Sequence, residues 1–281
     1  MEFVNCIVCN SKDNFHLIES VLDRFSNKKH YNILRCDCGM VMLNPRPDKR
    51  EILNHYAYEN YHPHNKGNGI IDILYRIAQI LNNKSKLKII KKYFKKGKTL
   101  DFGGGDGQFS HFMIKNNWEA IYYEPHLEVK KGNHIDDIDC LKDKSFDVVT
   151  MFHSIEHIHD VNKSVDEVYN LLNKNGVLIL SFPNYNAYER KFFNKGWIAY
   201  DAPRHLYHFT INSMTRFLED RKFKIIETKP IYLDAIYNII MSSNNFYEKV
   251  FKMPFQIFFT LLNIFIDKNK SSSLLLVCQK K

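Results

Sequence analysis

The chain has 281 residues, 44% of them apolar and 25% charged, a balance that suits one ordinary α/β domain with a small appendage and excludes a disordered or fibrous chain. Its opening, Met1 to Cys6, lacks a basic region followed by an apolar stretch, so no secretory signal is expected and the cytoplasm is the expected compartment. The formal charge of +9 favours an anionic partner (nucleic acid, a nucleotide-linked substrate or a phospholipid surface), although much of it lies in lysine clusters such as Lys84 to Lys98, which read as a solvated helix face.

Residues 1–47 hold four of the six cysteines. Cys6-x-x-Cys9 and Cys36-x-Cys38-Gly39 bracket a loop, and four soft ligands so spaced suit tetrahedral zinc better than disulfides in a chain without an export signal. Four protein ligands leave no open position, so that metal would be structural. The opposing reading is a segment that packs its cysteines as small apolar side chains. Asn44-Pro-Arg-Pro47 ends the segment, because both prolines disfavour helix. Residues 48–97 read as a helical connector or lid. Tyr56, Tyr58, Tyr61, His62 and His64 crowd its first part, and Gly67-Asn-Gly69 punctuates it. From Ile70 to Phe94 apolar residues recur at helical spacing, as at Ile73, Leu74, Ile77, Ile80 and Leu81, which predicts a long or broken helix over the sheet.

Residues 98–281 then alternate. Strands are expected over 99–102, 120–123, 146–151 and 176–181, with helices over 107–116 and 161–172. Helix 213–221 and strands 224–229 and 274–279 follow. Such alternation predicts a mostly parallel sheet covered on both faces, with ligands outside the carboxyl ends of the strands. An insertion of about 233–268 interrupts the last two strands; within it Met253 to Ile266 is apolar but short for a membrane span. Its ordinary reading is a helix packed over the substrate site or in a dimer contact, and its sharper one is an interfacial membrane helix, a peripheral contact with no transmembrane span. No internal repeat is visible.

Thr99-Leu-Asp-Phe-Gly-Gly-Gly-Asp-Gly107 joins a strand to a glycine-rich turn, where backbone without Cβ atoms can bend sharply and approach a ligand. Glu124 closes the next apolar run, placed to hold ribose hydroxyls. A dinucleotide cradle wants G-x-G-x-x-G, but counting from Gly103 and Gly105 the sixth position is Gln108, so the pyrophosphate reading loses its third glycine. What remains, Asp101 to Gly107 followed by Tyr122-Tyr-Glu-Pro125, resembles the first two motifs of class I S-adenosylmethionine-dependent methyltransferases. Lys144 to His157 is similar to that family's fourth-strand segment, and Leu171 to Pro183 to its fifth helix–strand unit. These matches run from Lys98 to Thr228.

The resemblance implies a Rossmann-like seven-stranded sheet ending in an antiparallel pair, here 224–229 and 274–279. It implies S-adenosyl-L-methionine as cofactor, contacted by Asp101, Gly103, Gly105, Glu124, Asp136, Phe152 and His153. The cysteine segment resembles the small N-terminal zinc ribbon of many members, sugar methyltransferases included. The usual second knuckle there is C-x-x-C-G, one residue longer than Cys36-Asp-Cys38-Gly39. A shorter knuckle strains the turn that presents both sulfurs, so that one ligand is either lost or replaced, with His16 and His30 as the candidate replacements.

Methyl transfer is an in-line displacement, so the protein mainly aligns the reactants and, for a hydroxyl acceptor, removes its proton. Phe152-His153-Ser-Ile-Glu156-His157-Ile-His159 lies where family members keep cofactor-facing and catalytic groups. His157 is the leading candidate base and His153 a further catalytic candidate, against the reading that Glu156 and His157 merely cap the next helix. His153, Glu156 and His157 stand at i, i+3 and i+4 and would share a helical face, as a similar E-x-x-E-H set does in metal-binding ubiquinone-type O-methyltransferases, except that the first acidic position here is His153. Asp201-Ala-Pro-Arg204-His205-Leu-Tyr207-His208-Phe-Thr210 resembles the P-R-H-L-x-H-F-T segment that caps the substrate pocket. By that likeness Arg204 suits a substrate phosphate or carboxylate, His205 or His208 serves as base, and Trp197 and Tyr200 form an apolar wall.

The expected activity is O-methylation of a sugar, nucleotide-sugar or related small metabolite in surface-polysaccharide biosynthesis, with C-methylation of a keto-sugar as its variant. An RNA methyltransferase would use the ribbon and basic surface. Its N-methylating forms carry an Asn/Asp-Pro-Pro-Tyr motif where this chain has Met151-Phe-His-Ser154, so nucleic acid is not the expected partner. A non-enzymatic scaffold is opposed by the intact glycine turn and Glu124.

Overall fold

The computed structural model describes residues 1–25, 29–56, 70–125, 132–243 and 245–281, with the backbone alone over 70–78. Tyr58, Tyr61, His62, His64 and Gly67-Asn-Gly69 lie outside the described residues. The N-terminal part forms an antiparallel sheet of β1 (Phe15–Leu22), β2 (His30–Cys36) and β3 (Val41–Leu43), completed by β9 (Tyr207–His208) from far along the chain. Along β2, Tyr31, Ile33 and Cys36 are buried while His30, Asn32 and Arg35 are exposed, as a half-buried strand requires. β9 pairs Val41 with His208 and Met42 with Tyr207. Buried Arg46 fastens the join, donating to the Tyr207 hydroxyl at 2.7 Å and the His159 carbonyl at 3.2 Å.

Helix α1 (Ile70–Ile90) leads into the second sheet. Its parallel strands are β4 (Lys98–Phe102), β5 (Glu119–Tyr123), β6 (His134–Ile135), β7 (Phe146–Phe152) and β8 (Leu172–Pro183). Helices α2 (Gln108–Lys115) and α3 (Val161–Leu171) make crossovers, and α4 (Arg190–Phe193) and α5 (Ile211–Glu219) follow β8. β10 (Phe223–Pro230), helices α6 (Tyr232–Ser242) and α7 (Met253–Ile266) and β11 (Ser273–Lys280) finish the chain. The strand order is β10-β11-β8-β7-β4-β5-β6, with β11 antiparallel to both neighbours, the expected terminal pair. β7 and β8 run nearly unbroken through buried residues, because a central parallel strand is covered on both faces.

β8 begins at Leu172, four residues before the expected start, and α5 begins at Ile211 because Thr210 caps it in a reciprocal pair with Ser213. One apolar core joins Val21, Tyr31 and Ile33 of the first sheet to Leu100, Val149 and Leu180 of the second, and includes Cys6 and Phe217 of α5. A second core, with Ile90, Met113, Trp118 and Val277, fills the opposite face beneath α1 and α2.

Candidate active site

The strand order reverses at β4, which lies between β5 and β7, and such a reversal opens a crevice at the carboxyl ends of the strands. The glycine turn after β4 forms one lip. Gly107 has φ 77°, and a Cβ there would stand 2.6 Å from the Tyr122 ring, so glycine is what lets β5 and the start of α2 approach. A Cβ built on Gly105, by contrast, would meet nothing within 4 Å. The Gly105 N–H donates to Glu124 Oε2 at 3.2 Å, tying the turn to the end of β5. Open space above a glycine backbone, flanked by a carboxylate, fits an adenosyl cofactor with its ribose diol.

Beneath the turn, buried Asp101 accepts a 2.6 Å hydrogen bond from Thr150 Oγ1, and burial pushes its carboxyl up to about 6. Asp136 follows β6 at the same sheet end, and Phe152 ends β7. The expected cofactor-facing residues therefore come from adjacent strand ends. Lys86 was expected on a solvated face. Instead its ammonium lies 3.9 Å from the centre of the Phe152 ring and 5.5 Å from that of Phe109, and burial lowers its pKa against the pull of Asp101 and Asp234.

From the end of β7 a line of charged and ring groups leads away from the crevice. His153 has φ 50°, a strained left-handed backbone of the kind that gathers at functional sites. Its ring is 3.0 Å from Asp234 on α6 and 3.3 Å from Glu156. Desolvation favours the neutral ring, but the two carboxylates outweigh it and raise His153 to about 10. Expected among the bases, His153 is thus an imidazolium with no lone pair to accept a proton. Glu156 is fully buried; burial opposes its charge, and His153 holds it below the usual carboxylate range.

His157 Nδ1 lies 3.0 Å from both the Arg204 carbonyl and the Tyr56 hydroxyl. Burial and the neighbouring His205 push it down to about 4, so its ring is neutral near pH 7. His205 Nδ1 reaches the Ala199 carbonyl at 2.8 Å, and the two rings meet edge to face with centres 4.7 Å apart. With its Nδ1–H donated to a carbonyl, the neutral His157 ring keeps its Nε2 lone pair. Glu156, His157 and His205 offer ligand atoms all within 4.8 Å of one another, a set that can hold a divalent cation. This set replaces the one expected from spacing, because His153 is engaged by Asp234.

Arg204 corrects another expectation. Its side chain is fully buried, with Asp201 at 2.6 Å and Asp23 at 3.4 Å, so it braces the capping loop against the end of β1 rather than facing an acceptor. Trp197 and Tyr200 are buried too, edge to face at 5.4 Å, and form no wall toward a ligand. His208, in β9, is sealed among the Tyr185 and Tyr200 rings, and burial lowers it to about 3. Asp23, Tyr56, Lys86 and Asp234 carried no expected role, since each reaches the site from a remote stretch of chain.

The shortened knuckle turns tightly: Cys36 N–H donates to the Met40 carbonyl and Gly39 takes φ 91°. All four cysteines converge. The Cys6–Cys38 and Cys9–Cys36 sulfurs are each 3.4 Å apart, and the four lie within 4.8 Å of one another. Tetrahedral zinc with bonds of about 2.3 Å sets its sulfurs about 3.8 Å apart, so the cluster fits that ion. Burial pushes the Cys6 and Cys36 thiols up, Cys36 to about 11. The expected substitute ligands stand aside. His16 pairs with Asp37 at 2.8 Å, and His30 begins β2 in solvent.

The sheet order, the glycine turn and the acidic end of β5 together define a class I methyltransferase. A family model described as a methyltransferase domain matches residues 72–228, and the chain belongs to that family of S-adenosylmethionine-dependent enzymes. Among solved structures it is similar in fold to a protein of Pyrococcus horikoshii OT3, at 16% identity and TM-score 0.50 over 81% of this chain and 99% of that one. An S-adenosylmethionine-dependent methyltransferase from Archaeoglobus fulgidus matches at 20% identity and TM-score 0.47, covering 70% and 92%. Magnesium protoporphyrin IX methyltransferase from Synechocystis, with bound S-adenosylhomocysteine, matches at 14% and 0.47, covering 76% and 88%. No curated protein matches the chain in sequence.

Proposed function

We propose that the protein O-methylates a sugar, nucleotide-sugar or related small metabolite used in surface-polysaccharide biosynthesis, with His157 and His205 as the groups that take the acceptor's proton. The observation that carries this reading is the pair of rings 4.7 Å apart beside buried Glu156, with the neutral His157 ring committing Nδ1 to a backbone carbonyl and leaving Nε2 as an acceptor. Asp101, Gly103, Gly105, Glu124, Asp136, Phe152 and His153 form the cofactor-facing set. Bound there, S-adenosylmethionine supplies an electrophilic methyl carbon. The chain's own part would be to align the acceptor with that methyl group and to take the acceptor's hydroxyl proton at a histidine Nε2. Glu156 and Asp201, both held below the usual carboxylate range against burial, balance the imidazolium that forms. His153, already cationic, is a positioning residue that keeps Glu156 ionised. The sugar class rests on the resemblance of the cysteine segment and of Pro203 to Thr210 to that branch of the family.

In the same reading residues 1–47 hold one structural zinc through Cys6, Cys9, Cys36 and Cys38. Residues 48–97 cover the crevice, and 98–281 form the catalytic unit with its insertion at about 233–268. Calorimetric titration with S-adenosylmethionine and S-adenosylhomocysteine tests the site. Binding should weaken at least about tenfold in Glu124→Ala, the loss of one charge-assisted hydrogen bond. Methyl-labelled turnover on nucleotide-sugars then tests the acceptor. Intact cofactor binding with no labelled product from any sugar would retire the acceptor class, and binding of NAD in place of the adenosyl compounds would retire the whole proposal.

A further inference from the structure

Fifteen of the twenty-five exposed large apolar side chains among the described residues lie between Tyr232 and Ile266, on the helical hairpin that leaves the sheet after β10 and returns at β11. In α7, Phe255, Phe258, Phe259, Leu262, Phe265 and Ile266 are exposed. Their spacing of i, i+3, i+4, i+7, i+10 and i+11 makes one continuous stripe. Thr260 and Ile264, the buried residues of α7, lie on its other side. Phe265 is 82% exposed, Ile266 75% and Phe255 67%. No charged residue occurs in α7, yet Lys249 and Lys252 precede it and Lys268 and Lys270 follow it, four cations against Glu248 and Asp267. An apolar stripe bordered by lysines complements acyl chains bordered by anionic phosphates. A second copy of this basic chain would instead bring lysines against lysines.

The hairpin meets a bilayer from one side. Glu248–Ile266 is long and apolar enough to cross by length and composition, and 11% of its most apolar window is buried. Both ends of the hairpin, however, return to neighbouring strands, Pro230 pairing with Leu274. Beyond α7 the chain is anchored, the Lys270 carbonyl accepting from Tyr188 N–H and the Asn269 carbonyl from Asn184 Nδ2. A spanning helix would tear these apart. Tyr232, Leu233, Ile240 and Met241 of α6 are exposed as well, while Asp234 on the same helix bonds His153. Helix α6 thus carries exposed apolar side chains and also a partner of His153 at the site.

We propose that the α6–α7 hairpin docks the protein on an anionic membrane surface, its phenylalanines at the acyl boundary and its flanking lysines at the phosphates. Docking belongs to the hairpin and stands apart from the acceptor proposed above. The test is co-sedimentation of the full chain with phosphatidylcholine vesicles, with and without about 30 mol% phosphatidylglycerol. The chain should sediment with the anionic vesicles and be released as salt rises to about 0.5 M. The Phe255→Ser, Phe258→Ser, Phe265→Ser variant should bind vesicles at least about tenfold less while its S-adenosylhomocysteine titration is unchanged, which shows the fold intact. Lys268→Glu with Lys270→Glu should lose the preference for anionic lipid. Wild-type chain left in the supernatant, or the phenylalanine variant sedimenting like wild type, overturns the proposal. So does a dimer, seen by ultracentrifugation, that the same serines dissolve without any vesicle binding.

Discussion

At the scale of single residues, the proposed chemistry rests on His157 being neutral while His153 is charged. Burial and His205 keep His157 at about 4, whereas two carboxylates keep His153 at about 10, although the residues are four positions apart. His157→Ala and His205→Ala should each lower turnover by about 10²–10⁴, the usual worth of a positioned base, with cofactor affinity nearly intact. A mutant that instead lost cofactor binding in calorimetry would remove that residue from the proposed role. His153 makes a separate prediction. Because its pKa rises from 6.5 to about 10 on folding, the stability it contributes is fully present below about pH 6.5 and is lost as pH climbs through about 10. Asp234→Asn should flatten that part of the thermal midpoint's pH profile, and an unchanged slope would mean the ion pairs do not form. The sequence singled out His157 and His205 from two separate motifs, and the fold brings their rings within 4.7 Å of each other. The sequence misplaced Arg204, whose partner Asp23 is 181 residues away in the chain, a separation no local pattern reports.

At the scale of elements, the alternation of strands and helices was legible because central parallel strands are apolar throughout while their crossover helices are amphipathic. Gly107 shows where backbone geometry and packing meet. Gly107→Ala should drive a methyl into the Tyr122 ring at a positive φ, costing about 1–3 kcal/mol and weakening the cofactor titration together with the thermal midpoint. A variant of unchanged stability and affinity would show that the turn relaxes freely. The role of Lys86 was hidden for a different reason. It sits in a run of lysines, and only the crossing of α1 over Phe152 singles it out.

Across the whole molecule, the two sheets share one apolar core and should unfold together. Cys9→Ser should reduce bound zinc from one per chain to a small fraction and lower stability by about 2 kcal/mol or more, still in a single transition. Two separate transitions, or an unaltered midpoint in a zinc-free protein, would break the link between cluster and core. This unity was not visible in the sequence, where the cysteines, the proline break and the motif-bearing half read as successive blocks. What joins them is Arg46 and β9, whose partners are near only after folding.

The closing of the first sheet by Tyr207 and His208 bears on how the chain is made. As the polypeptide emerges from the ribosome, its N-terminal strands wait for a partner translated about 160 residues later, roughly ten seconds or more at ordinary elongation rates. During that interval four thiols hang on an unfinished sheet, open to oxidants and to stray metal. On the proposed zinc assignment, biogenesis would set zinc supply against translation speed, and cells short of zinc should accumulate nascent chains oxidised at these thiols before the second half of the chain has been synthesised.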